Sequence, residues 1–148
     1  MFQSDSIICS NARQRVDDYL EWDLIGAPIP ENHGYGYNGG FSLRNRTLVL
    51  DVIEQNPFDK DSNRSSESTN RNQFEDQWFY LKMSQMQAKL PSTWVAATFA
   101  VQQVYFDKPL GYHQVWSFLP DIMDDVRKWC PEIDLASDET LACVPPTC

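Results

Sequence analysis

Basic side chains and histidine are the scarce residues of this chain. Lys and Arg number 12 against 21 Asp and Glu, with two His, for a formal net charge of −9. Non-specific nucleic-acid binding needs a basic footprint, and its absence excludes that class. An anionic ligand would need a metal ion or a local cluster of cations to offset the field, and Arg13, Arg15, Arg44 and Arg46 are the local candidates. The four cysteines form no C-x-x-C pair. With so few His beside them, this argues against a structural zinc site. Long apolar runs are also missing, so no segment reaches transmembrane length, and no signal peptide precedes the first strand. There is no internal repeat.

The 148 residues suffice for one domain with a core of its own. Aromatics make up 13% and include five Trp. Such flat side chains line sugar sites, but core filling is their commoner fate. Cys9 lies in an apolar, strand-like run and reads as a buried thiol. Cys143 and Cys148 can bridge in an oxidising compartment, although two prolines between them constrain the geometry. Asn45-Arg46-Thr47 and Asn63-Arg64-Ser65 match the N-glycosylation sequon, a short pattern that often arises by chance.

Strand and helix signals alternate, which predicts an α/β layer structure with a small mixed sheet flanked by helices. Met1 to Cys9 reads as a strand. Ser10 or Asn11 caps a short helix that ends near Leu20, with Val16 on its inner face. Leu24-Ile25 is a brief strand, broken by Gly26 to Pro30, and a loop follows to Asn38. Phe41 to Leu43 is the next strand and Asn45 to Glu54 a helix, with Leu48 and Val52 on one stripe, Val49 and Ile53 on the next. Residues 57–73 are polar and of low complexity, the composition of a flexible surface loop. Glu75 to Met86 reads as a helix. The run from Trp94 is helical through Phe99 and then turns towards strand. Pro109 to His113 reads as a turn. Pro120 to Trp129 carries helix signals at both ends. The domain is expected to span residues 1–135, with a tail over 136–148.

The residues with chemistry cluster in two places. Gly39-Gly40 can bring backbone against a ligand with no Cβ in the way. Arg44 follows it, and Glu75-Asp76 opens the next helix. A guanidinium, a polar glycine loop and a carboxylate suit a hydroxyl-rich, phosphate-bearing substrate. Each has a plainer explanation: a tight turn, a solvated helix start, and acids favoured by the helix macrodipole.

One ordered set ties these pieces together. It comprises Phe2-Gln3-Ser4-Asp5-Ser6, Asp23 to Pro28, Asn38-Gly39-Gly40-Phe41-Ser42-Leu43-Arg44, Glu75-Asp76 and Gly111 to Trp116. It resembles a family of fungal and microbial proteins carrying a domain of unknown function with glycosyltransferase character. More broadly it resembles the C-terminal half of a GT-A-fold, nucleotide-sugar-dependent glycosyltransferase. The resemblance runs from Phe2 to about Leu119.

That resemblance implies a partial GT-A-like fold whose N-terminal half is missing from this chain. It implies transfer of a sugar from a nucleotide-sugar donor to an acceptor hydroxyl, by an inverting route. Asp76 is then the general base with Glu75 beside it. Gly39, Gly40, Arg44 and Trp78 contact substrate. Asp5 matches the last acid of the Asp-x-Asp motif, and His113 the family's late histidine. Together they imply Mn²⁺ or Mg²⁺, weakened because Gln3 stands where the motif has its first acid. A membrane anchor in the missing part would place the protein in the secretory pathway or Golgi. Two other readings compete. One is a truncated, non-catalytic remnant that binds carbohydrate or a protein. The other is a two-acid hydrolase, for which the adjacent Glu75 and Asp76 diverge too far on a helix to flank one bond.

Overall fold

A computed structural model describes residues 1–56 and 74–136. The expected flexible loop over 57–73, the sequon at Asn63, Cys143 and Cys148 lie outside the described residues. The architecture is mixed α/β, with two small sheets flanked by helices.

The first sheet is a hairpin-like pair, β2 (Leu24–Pro28) against β3 (Tyr37–Arg44), antiparallel with Leu24 opposite Arg44 and Gly26 opposite Ser42. The register then shifts before Pro28 meets Tyr37. The expected break at Gly26 is therefore an irregularity inside a strand. A Cβ at Gly26 would strike the Asn38 carbonyl oxygen and lie 3.1 Å from that of Phe41, so only glycine lets the strands close here. The second sheet has the order β1 (Ser6–Ile8), β5 (Gly111–His113), β4 (Ala100–Val101). Its central strand pairs antiparallel with β1 and parallel with β4.

The amino-terminal segment joins the two sheets. Phe2 bridges Phe41, the Gln3 N–H donates to the Gly40 carbonyl at 2.8 Å, and the Ser42 N–H donates to Met1 at 3.1 Å. A turn at Ser4-Asp5 then redirects the chain into β1. The single strand expected over Met1 to Cys9 is thus two pieces with different partners. A short apolar run cannot show in sequence that its pairing changes halfway.

Helix α1 (Arg46–Gln55) starts where Asn45 Oδ1 accepts from the N–H groups of Thr47 and Leu48, a cap worth about 1 kcal/mol. Val52 is fully buried while Ile53 is half exposed, which identifies the Leu48–Val52 stripe as the inner one. Helix α2 (Glu75–Gln85) buries Trp78, Phe79 and Met83. Helix α3 (Thr93–Phe99), capped by Ser92, runs directly into β4, as the change of pattern after Phe99 suggested.

Other expectations needed correction. The helix after Cys9 is only a 3₁₀ turn, Val16–Tyr19. Neither expected cap stands at its start, which is Arg15; the Ser10 backbone N–H donates to Glu132 Oε1 and Asn11 Nδ2 to the Trp129 carbonyl. The stretch around His113 is the central strand β5, not a turn, because pairing on both sides overrides its flanking glycine and proline. The Pro120–Trp129 helix divides into a 3₁₀ turn, Pro120–Ile122, and α5 (Met123–Trp129), preceded by the short α4 (Val115–Phe118).

Cys9 is not a free thiol. It is bonded to Cys130 across 121 residues, with the Cα atoms 4.8 Å apart. Closing so long a loop is worth about 4–5 kcal/mol on the chain-entropy account. The bridge lies in a core with Val101, Tyr112, Val126 and Ile133. A second core, with Ile25, Phe41, Val52, Met83 and Phe99, lies between the hairpin and helices α1 to α3. Among the described residues no helix is long and apolar enough to cross a membrane.

Candidate functional site

Strand β3 presents Gly39 and Gly40 where α2 begins and where β5 ends. The Gly39 N–H donates to Asp76 Oδ2 at 3.1 Å, and Oδ1 of the same carboxylate accepts from the Gln77 N–H at 2.7 Å. Asp76 is half-buried. A Cβ on Gly39 would stand 2.5 Å from Arg44 Nη2 and 3.2 Å from the Asp76 Cβ, so the missing side chain is what lets α2 approach.

Arg44 closes one flank. Its guanidinium pairs with the Glu75 carboxylate through both Nη atoms, lies 5.2 Å from the centre of the Phe79 ring, and donates from Nε to Ser42 Oγ at 3.2 Å. Ser42 Oγ donates in turn to the Gly39 carbonyl at 2.9 Å. The side chain of Arg44 is 10% exposed and that of Glu75 46%. Arg44 is therefore held against the protein by Glu75, and Glu75 turns towards Arg44 while Asp76 turns towards the glycines.

Asp5 and His113 close the other flank. Strand register sets Ser6 opposite His113, and the next residues outward are Asp5 and Gln114. His113 is 2% exposed. Its Nδ1 lies 3.1 Å from Ser6 Oγ and 3.2 Å from Asp5 Oδ1. Which partner donates between Ser6 and His113 follows from the ring's tautomer. Burial pushes the imidazole below its ordinary 6.5, with Asp5 and, more weakly, Asp76 pulling the other way. The opposite edge of the ring packs on Gly40, where a Cβ would overlap Cε1 and Nε2.

The Asp5 carboxylate is held unequally. Oδ2 accepts from Gln114 Nε2. Oδ1 is buried and faces His113 Nδ1 at 3.2 Å, with no other hydrogen-bond partner among the described residues. Asp5 and His113 thus supply an oxygen and a nitrogen a short distance apart. That donor set fits Mn²⁺ or Mg²⁺, ions that complete their shells with water and phosphate oxygens. No three His, Cys, Asp or Glu side chains converge as a metal cage among the described residues.

One residue departs from the sequence reading. Trp78, expected to face substrate, is 6% exposed and packs edge-on against Phe79 at 4.9 Å, in the core that anchors α2. The remaining candidates, Asp5, Gly39, Gly40, Arg44, Glu75, Asp76 and His113, surround one junction of strand, helix and loop. Sequence reasoning missed Ser6, Ser42 and Gln114. Ser6 and Gln114 flank expected ligands, and the pairing register brings them into play; nothing in their spacing announces it.

A family model described as "Protein of unknown function (DUF5672)" matches residues 1–113. The chain belongs to this family. The family match takes in every one of those candidates, from Asp5 to His113, and stops before Gln114 and Cys130. No curated protein and no solved structure matches the chain.

Proposed function

We propose that this DUF5672 chain carries the catalytic and acceptor side of a nucleotide-sugar-dependent glycosyltransferase of inverting type. The observation that carries the reading is Asp76: its carboxylate is fixed by the Gly39 N–H on the same two-glycine strand that packs on His113. A general base, a close backbone approach and an O/N donor pair are thereby gathered around one junction.

In this reading Asp76 takes the proton of an acceptor hydroxyl. The acceptor oxygen bonds to the anomeric carbon of the donor sugar. The bond from that carbon to the diphosphate breaks, and the nucleoside diphosphate leaves with the electron pair. Gly39 and Gly40, expected to let a ligand lie against the backbone, instead let Asp76 and the His113 ring close on β3, and positioning of catalytic groups in this way supplies much of the rate. Asp5 and His113 would hold a Mn²⁺ or Mg²⁺ ion, whose chemistry is to stabilise the charge of the departing diphosphate. The Arg44–Glu75 pair keeps the first turn of α2 against β3, so Glu75 assists Asp76 by orientation. The Cys9–Cys130 disulfide supports an oxidising compartment, in keeping with a secretory-route setting.

A second reading, a non-catalytic module that binds carbohydrate or a protein, draws support from Arg44. With both Nη atoms turned to Glu75, that guanidinium has little left for a sugar phosphate. Calorimetric titration of the folded chain with UDP- and GDP-sugars, with and without Mn²⁺, separates the two. Metal-dependent donor binding is the expected result. Binding of free carbohydrate with no response to nucleotide sugar or metal would favour the second reading and sink the first.

A further inference from the structure

We infer that Gln114 is a positioning residue that presents Asp5 Oδ1 to a divalent cation. The inference rests on the metal role proposed above for Asp5 and His113, and it concerns a residue just past the family match.

Gln114 grips Asp5 twice. Its backbone N–H donates to the Asp5 carbonyl at 3.1 Å, continuing the β1–β5 ladder by one step. Its side-chain Nε2 donates to Asp5 Oδ2. The two bonds fix both the main chain and the carboxylate plane, and the oxygen they leave over is Oδ1. That oxygen is buried and faces His113 Nδ1 at 3.2 Å, with no other partner among the described residues. A buried carboxylate oxygen whose single close partner is an imidazole nitrogen keeps lone-pair capacity that a cation shared with that nitrogen can take up.

The backbone of Gln114 supports the same reading. It sits at φ 47°, ψ 29°, in the left-handed region, where a non-glycine residue is uncommon. This conformation ends β5 and turns the side chain back towards the Ser4-Asp5 turn. Glycine would adopt the conformation more readily, and its absence fits a need for this side chain.

The left-handed backbone also makes the test clean. Gln114→Gly keeps the conformation without strain and deletes the whole side chain, the carboxamide and its two methylenes. Gln114→Asn keeps an amide that tolerates the left-handed region but shortens its reach by one methylene. Mn²⁺ affinity of the chain alone is measured by calorimetry, alongside thermal unfolding and the ¹⁵N resonance of His113 Nδ1. The expected result is Mn²⁺ binding by the unsubstituted chain, about tenfold weaker in both variants, as for other outer partners of metal ligands. The Nδ1 resonance should shift and the unfolding temperature should stay close to that of the parent. Equal Mn²⁺ affinity in parent and Gln114→Gly overturns the inference and leaves the metal role standing. No Mn²⁺ binding by the folded parent overturns the metal role, and the inference with it.

Discussion

The two flanks of the site are built on different principles. The Asp5–His113 flank is made by strand register: neighbouring strands from opposite ends of the chain set the residues side by side, and burial does the rest. The Asp76–Glu75–Arg44 flank is made by a helix start leaning on a glycine strand, with one exposed partner. A registered, buried pair can move only if the sheet moves. A helix start held by a few hydrogen bonds and an ion pair can shift by itself. In the proposed mechanism the proton-transfer group benefits from that small freedom, whereas the proposed cation ligands need the rigidity of the sheet.

The largest contrast is expected from Asp76→Asn. Losing a general base removes about 10²–10⁴-fold of turnover, while an Asn that keeps one of the two acceptor oxygens costs about 1 kcal/mol of stability. Turnover and thermal unfolding of the same sample check this, and unchanged turnover would remove Asp76 from the mechanism. Next is Cys130→Ser, which should cost about 2–5 kcal/mol in denaturant unfolding. It should loosen the β1–β5 flank before the helix flank, read by hydrogen exchange at Ser6 and at Gln77.

The two glycines give a smaller and more local contrast. Gly40→Ala drives a Cβ into the buried imidazole and should cost about 1–3 kcal/mol. At Gly39 the nearest obstacle is the far end of Arg44, which can swing away, so Gly39→Ala should cost less and disturb turnover more than folding. Equal losses at both sites would mean that the flanks are equally rigid.

Acid should act on the registered flank. The unfolded chain takes up a proton at His113 near the ordinary 6.5, while burial holds the folded imidazole neutral to lower pH. Between those values the unfolded state binds more protons, so stability falls as pH falls, and below both the loss is constant. His113→Gln should flatten that part of the profile. The smallest effect is expected from Glu75→Gln, about 1 kcal/mol or less, because one partner of the pair is half exposed and water screens the attraction.

Much of this could be read along the chain because it depends on local signals. Asn45 as a cap, Phe79 and Met83 on one face of α2, and the change of pattern at Phe99 all act within a few residues of themselves. The motif residues Gly39-Gly40, Glu75-Asp76 and His113, far apart in sequence, lie around one junction, and that much of the candidate site was legible. What stayed hidden depends on partners far away in sequence. The divided pairing of Met1 to Cys9, the strand character of Gly111 to His113 and the Cys9–Cys130 bond are fixed by which strands meet. Trp78 misled for a related reason: an aromatic beside an acidic motif suits a sugar face and a core equally, and only its place on α2 decides.

The turn at Ser4-Asp5 has one more consequence. Asp5 can find its place only when residue 113 arrives, and Cys9 only when residue 130 does. During synthesis residues 5–9 therefore have no lasting partner on this side until residues 111–130 have followed. Contacts of such high sequence separation slow folding. A nascent chain that stalls before His113 would already hold its glycine strand but could not close the Asp5–His113 end of the junction.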